Sequence, residues 1–172
     1  MVAMRLPFLK SSAADIPPIV AMTGVRLGDS VVFSGRSPRL VVPLGAKTGL
    51  SGRCLAVGNS ELTAMLSAAA SEAGVLLETS DIFPSDPPFD LAVIEVADEQ
   101  LDRAATARPA VRSGGRIILV VAAEDSGLLS RLRSRAPSID PESLVGTLTR
   151  QGWQRARVIG TADRMTFVEA FR

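Results

Sequence analysis

The chain contains no histidine and no tyrosine. The first absence removes the side chain that most often titrates near neutral pH and most often ligates metal. Histidine-based triads are therefore excluded, and a zinc site lacks the donors it would need. No metal is expected. Any acid–base chemistry must come from Asp, Glu, Lys, the single cysteine or a bound water. Cys54 is the only cysteine, so no intrachain disulfide forms. Its place in the apolar run "CLAV" reads as a small buried hydrophobe rather than a nucleophile, and a reducing, cytoplasmic setting fits. Excess charge of either sign is also missing. Nineteen Lys and Arg against 18 Asp and Glu leave a net +1, which gives no overall drive toward nucleic acid or an anionic membrane. No nucleic-acid partner is expected on that ground. The longest apolar run, "IILVVAA" at 117–123, falls far short of the ~18–20 residues of a membrane span. The opening "MVAMRLPFLK" has too short an apolar stretch for a signal peptide. Residues 1–17 are expected to form an apolar arm that docks on its own domain or on a partner.

What is present is a chain of 172 residues with 47% hydrophobic content, enough for one domain with a real core but not for two. That domain is expected over 18–172. A short helix at "PIVAMTGV" and a turn at "LGDS" lead into a first strand, 31–34. Ser37 is placed to cap a helix that opens at Pro38, where a missing N–H costs nothing. Pro43 should kink or shorten it. Strand two is 53–57. Ser60 then caps a helix to about Ala73, with Leu62, Met65, Leu66, Ala69 and Ala73 on one face and Gly74 ending it. Strands follow at 75–79, 89–96 and, after a turn at "RSGGR", 116–122. Helices are expected at 98–108, 124–135 and 141–151. A hairpin over 153–160 and 164–171 closes the chain. Alternating strands and helices imply a mainly parallel sheet covered on both faces, with ligands beyond the carboxyl ends of the strands. That edge falls beside residues 34–39, 57–60, 80–82 and 95–98.

Several stretches together resemble one family. "VRSGGRIILV" (111–120) looks like a Gly-Gly turn before a fifth strand, "GVRLGDSVVFSG" (24–35) like a lead into a first strand, and "PPFDLAVIEV" (87–96) like a fourth. The ending "LVGTLTRQGWQRARVIGTADRMTFVEAFR" is similar to a last helix with a closing strand pair. In this order and spacing, the chain resembles a degenerate member of the class I S-adenosylmethionine-dependent methyltransferases. The resemblance covers about 18–172. It implies an α/β, three-layer Rossmann-like fold with a seven-stranded, mostly parallel sheet and a C-terminal antiparallel hairpin.

The departures fall where the family binds its cofactor. The family has an acidic residue near the end of strand one followed by Gly-x-Gly-x-Gly. Here the stretch reads Phe33, Ser34, Gly35, Arg36, Ser37, Pro38, Arg39, and only Gly35 survives. Glycine belongs there because a loop without Cβ atoms can lie against the ligand. The carboxylate that the family places after strand two, on the ribose hydroxyls, is replaced by Gly58 and Asn59. Asp81 stands where an acidic residue near the adenine would be. On the resemblance, the cofactor-binding positions are Gly35, Ser37, Gly58, Asn59 and Asp81. Glu95, ending strand four, is the candidate catalytic carboxylate, and an exposed strand-end glutamate is the plainer alternative. Asp90 at the other end of that strand reads as a turn residue, and Trp153 as packing against the last helix. Arg131, Arg133 and Arg135 read as a solvated helix end.

Three readings remain open. In the first, the S-adenosylmethionine site is degraded and the protein is non-catalytic or weakly active. It then acts through protein contacts, as a homo-oligomer or an accessory subunit. In the second, it is an active methyltransferase with a divergent cofactor loop. In the third, Arg36 and Arg39 clamp a different anionic small molecule.

Overall fold

The computed structural model describes residues 16–86, 88–96, 102–122 and 139–172. The expected helix 124–135 with Arg131, Arg133 and Arg135, the segment 97–101, and all but the last two residues of the N-terminal arm lie outside them.

Helix α1 (Pro18–Thr23) opens on a proline and closes on Gly24 in the left-handed region. After it come β1 (Ser30–Ser34), α2 (Pro38–Thr48), β2 (Arg53–Val57), α3 (Ser60–Glu72), β3 (Glu78–Ser80) and β4 (Phe89–Val96). Helix α4 (Asp102–Ala107) runs through a 3₁₀ turn (Arg108–Ala110) into β5 (Val111–Ala122), and α5 (Pro141–Arg150), β6 (Gln154–Ala162) and β7 (Met165–Phe171) complete the chain. The seven strands form one sheet in the order β3-β2-β1-β4-β5-β7-β6. The first five are parallel, and β7 runs antiparallel between β5 and β6.

Period-two alternation sends successive residues of each strand into separate cores. Val32, Leu55, Ala92, Ile94, Ile117, Leu119 and Val168 pack under α4 and α5 with Leu144, Leu148 and Trp153. Val31, Phe33, Ala56, Val93, Ile118 and Phe167 pack on the other face with α1, α2 and α3. Trp153 is buried as expected against α5, and its indole N–H donates to the Ala104 carbonyl at 3.3 Å, tying α4 to the start of β6.

Four local expectations are corrected. Strand three does not begin at Val75. Gly74 (φ +68°) and the Val75 N–H, which donates to the Ala70 carbonyl at 2.8 Å, close α3 instead. That is a left-handed helix stop. Val75 then packs on Gly45, where an added Cβ would stand 2.6 Å from its Cγ1, and only Glu78–Ser80 remain for β3. Helix α2 runs through Pro43 to Thr48 without being shortened. The cap of α3 is Asn59, not Ser60: its Oδ1 accepts the Leu62 N–H at 2.9 Å. "RSGGR" lies inside β5 as a bulge rather than before it. Phe89 pairs with Val111 and Leu91 with Arg116, so residues 112–115 loop out of register around Gly114 at φ +74°.

Candidate functional site

The chain leaves β1 toward β2 and β3, then returns to β4 on the other side of β1. The loops after β1 and β4 therefore diverge and open a crevice at the carboxyl edge of the sheet. Ser34 and Gly35 end one wall, and Glu95 and Val96 the other.

Glu95 crosses this crevice. Its Oε2 accepts the N–H of Arg36 at 2.5 Å and of Ser37 at 2.9 Å, at the entry to α2. Ser37 is the N-cap of α2 and Arg36 the residue before it, and a carboxylate at this end is favourable because the first helical amides have no partner within the helix and carry the positive end of its dipole. Ser37 does occupy the N-cap position, but its hydroxyl makes no capping bond. The expected hydroxyl cap is replaced by a carboxylate from another strand. Glu95 also accounts for Gly35: a Cβ there would stand 2.5 Å from Glu95 Cβ, 2.6 Å from Oε2 and 2.7 Å from the Phe33 ring.

The other expected positions divide as follows. Gly58 is buried after β2, its N–H donates to the Ser80 carbonyl at 3.0 Å, and an added Cβ would meet Leu62 Cδ2 at 2.7 Å. Asn59 is exposed with its oxygen engaged in the cap of α3. Asp81 is exposed after β3 and makes no ion pair among the described residues. Arg36 and Arg39 are both exposed. The structure thus brings Gly35, Arg36, Ser37 and Glu95 into one contact and leaves Asn59 and Asp81 at separate strand ends.

Two residues escaped the sequence reading. Ser34, fully buried at the end of β1, accepts a hydrogen bond from the Arg103 guanidinium of α4. The signal was slight, a hydroxyl closing an apolar strand and an arginine in the helix after β4. Asp90, at the opposite rim, is structural as expected. It accepts the Ser30 N–H at 2.8 Å and pairs with Arg112 at 2.6 Å. Partial burial raises its pKa, but the Ser30 bond and the bond and charge of Arg112 together outweigh this and hold the carboxyl below its ordinary value. Burial, with the charge of Glu78 second, pushes the Cys54 thiol up to about 12, which fits a packing role. Among the described residues no group of three or more Asp, Glu or Cys is placed to hold a metal ion. No helix among them is long and apolar enough to cross a membrane.

No protein-family model and no curated protein sequence matches the chain. Solved structures do match in shape. A SAM-dependent methyltransferase from Aquifex aeolicus superposes with a TM-score of 0.69 at 16% identity, covering 91% of this chain and 88% of the other. The pyocyanin biosynthetic protein PhzM gives 0.68 at 19% identity, covering 90% and 53%. A SAM-dependent O-methyltransferase from Thermotoga maritima gives 0.65 at 16%, covering 90% and 63%. The fold is that of the class I S-adenosylmethionine-dependent methyltransferases. The chain spans nearly all of the Aquifex protein, but only about half of PhzM and of PigF, whose structure holds SAH. At these identities the likeness establishes the methyltransferase fold and its divergence in sequence.

Proposed function

We propose that this chain is a methyltransferase-fold protein whose S-adenosylmethionine site is closed by its own side chains. It acts through contacts with other proteins, as a homo-oligomer or an accessory subunit, rather than by methyl transfer. One observation carries the reading: the Glu95 carboxylate sits on the Arg36 and Ser37 amides and against Gly35. In the resemblance, those amides and that bare backbone are what the loop offers the cofactor. Here an internal anion holds both. A cofactor entering along this loop must displace a charge-assisted pair of bonds, each contributing about 1.5–3 kcal/mol. The residues after β2 add no compensating grip. Gly58 brings no carboxylate and lies under Leu62, and Asn59 is engaged in its helix. The residues present do not fit the cofactor, and Glu95 is a loop clamp in this reading rather than a catalytic acid or base.

The free Asp81 favours a second reading, an active methyltransferase with a divergent loop, because a carboxylate remains after β3 where the adenine would lie. Calorimetric titration of the full chain with S-adenosylmethionine and S-adenosylhomocysteine separates the two. Closure predicts no saturable heat up to about 1 mM ligand, and micromolar binding by the wild-type chain overturns it. Stabilisation by a phosphate-bearing ligand that Arg39→Gly abolishes would instead favour an anion site at α2.

A further inference from the structure

The net charge of +1 conceals an uneven distribution. Residues 103–116 hold four arginines and no acidic residue, and residues 150–172 hold five arginines against Asp163 and Glu169. The rest of the chain carries ten basic and sixteen acidic residues. The fold brings seven of these nine arginines to one rim, while Arg103, on Ser34, and Arg164, in the β6–β7 turn, lie at the other edge. Phe171 pairs with Arg116 on one side and Gln154 on the other, so the same ends of β5, β7 and β6 meet in a row. Arg172, next in the chain, donates to the carbonyls of Pro109 and Val111. Arg108 lies against Gly152, with its Cζ 3.5 Å from where a Cβ would be. Arg150 ends α5 just before that turn.

Two carboxylates answer these arginines. Asp90 pairs with Arg112 at 2.6 Å, and the buried Glu169 is shared between Arg116 at 3.3 Å and Arg157 at 2.8 Å. Arg157 remains 66% exposed despite its pairing. Arg108, Arg150 and Arg155 have no carboxylate partner among the described residues. At the opposite edge acidic residues predominate: Asp81, Glu95, Asp102, Asp140, Glu142 and Asp163 stand at strand ends, helix starts and the β6–β7 turn, alongside Arg36, Arg39, Arg103 and Arg164. The excess of positive charge is therefore local to the rim under β5, β7 and β6.

We propose that the basic rim under β5, β7 and β6 binds the phosphate backbone of nucleic acid without reading its sequence. The positive groups are all arginine, whose planar fork matches phosphate oxygens. They are spread over the ends of three strands about 4.8 Å apart, the end of α5 and the 3₁₀ turn before β5 instead of converging on one point, which suits a polymer of repeated charges better than a small anion. Among the described residues this rim exposes no aromatic ring as a stacking platform: tyrosine is absent, Trp153 is buried and Phe171 is only partly accessible. Affinity should therefore come from the backbone alone and fall steeply with salt. This inference stands apart from the closure of the cofactor site, and neither outcome there decides it.

The test is fluorescence anisotropy of the full chain with a labelled 20-base-pair RNA duplex, a DNA duplex of the same length and a single strand, with poly-glutamate as competitor. Duplex binding at about 10⁻⁴–10⁻⁶ M near physiological salt is expected, with a log–log salt slope of about −3 to −5. Arg150→Ala with Arg155→Asn should weaken binding roughly tenfold or more and reduce the slope by about 2. Asparagine is chosen because position 155 has φ +51°, which it tolerates. Lys47→Ala, under a different part of the sheet, should change nothing. Failure to bind either duplex at ~50 mM salt overturns the proposal. So does unchanged binding in the double variant with its circular dichroism intact, or displacement by poly-glutamate at equal charge concentration, which would mark an acidic protein as the partner.

Discussion

Glu95 and Gly35 fit together as peg and gap. The glutamate's Cβ and Oε2 occupy the space that any side chain at position 35 would need, with approaches of 2.5 and 2.6 Å. The same Oε2 binds the two amides that follow Gly35. Gly35→Ala should destabilise the protein by about 1–3 kcal/mol, because Glu95 must move and its bonds with it. In a Glu95→Gly background, which removes both the Cβ and the carboxylate that the new side chain would meet, most of that added cost should vanish. A double-mutant cycle by urea denaturation measures the difference. Additive effects would mean that Phe33, not Glu95, sets the constraint.

Asp90 predicts an acid response with a definite sign. Its folded-state pKa lies below the ordinary value. Its contribution is therefore fully present above the unfolded-state pKa and is lost as pH falls through the folded-state value. Arg112→Ala removes one of the groups lowering it, so the loss of stability on acidification should become shallower. Stability measured by denaturant from neutral pH downward checks this.

Cys54 is 3% exposed, with its thiol pKa pushed up to about 12. Thiol reagents at mildly alkaline pH should leave the folded chain unmodified. One equivalent should react once denaturant is added, as the sequence has a single cysteine. Mass spectrometry after alkylation reads both states.

Asn59 is predicted to be a structural residue. Asn59→Ala should cost about 1 kcal/mol through the lost cap on Leu62, and Asn59→Asp should cost far less, since aspartate caps equally well. A melting temperature unchanged by Asn59→Ala would free this side chain for a ligand.

Trp153 is the only tryptophan, 2% exposed, with its indole N–H on Ala104. Trp153→Phe should destabilise by about 1–3 kcal/mol, losing both packing and the tie between α4 and β6. In the wild-type chain, the red shift of its fluorescence on unfolding should coincide with the loss of helical circular dichroism.

Much of the architecture was readable in advance because its signals are local. Continuous apolar runs marked β4 and β5, Pro38 marked the start of α2, and Gly74 the end of α3. Strand three was misplaced because Val75 and Leu76 have strand composition, while Val75 is needed to close the preceding helix. The contacts that define the site were not readable, because they join distant positions. Glu95 reaches amides 58 and 59 residues away, and Arg103 reaches Ser34 across 69. Gly35 survives as a lone member of a glycine pattern, which suggested a ligand. In the folded chain its absent side chain makes room for a neighbouring strand.

The two lateral strands carry a consequence for self-association. On one border, β3 has only three residues, too few to template another chain. On the other, β6 is nine residues long but is interrupted twice. Its register breaks between Gln154 and Arg157 and again between Val158 and Gly160, with Arg155 at φ +51° and Gly160 at φ +153°. Such kinks, flanked by guanidinium groups, discourage the hydrogen-bonded zippering that leads to fibrils. Association through side chains is therefore favoured over extension of the seven-stranded sheet.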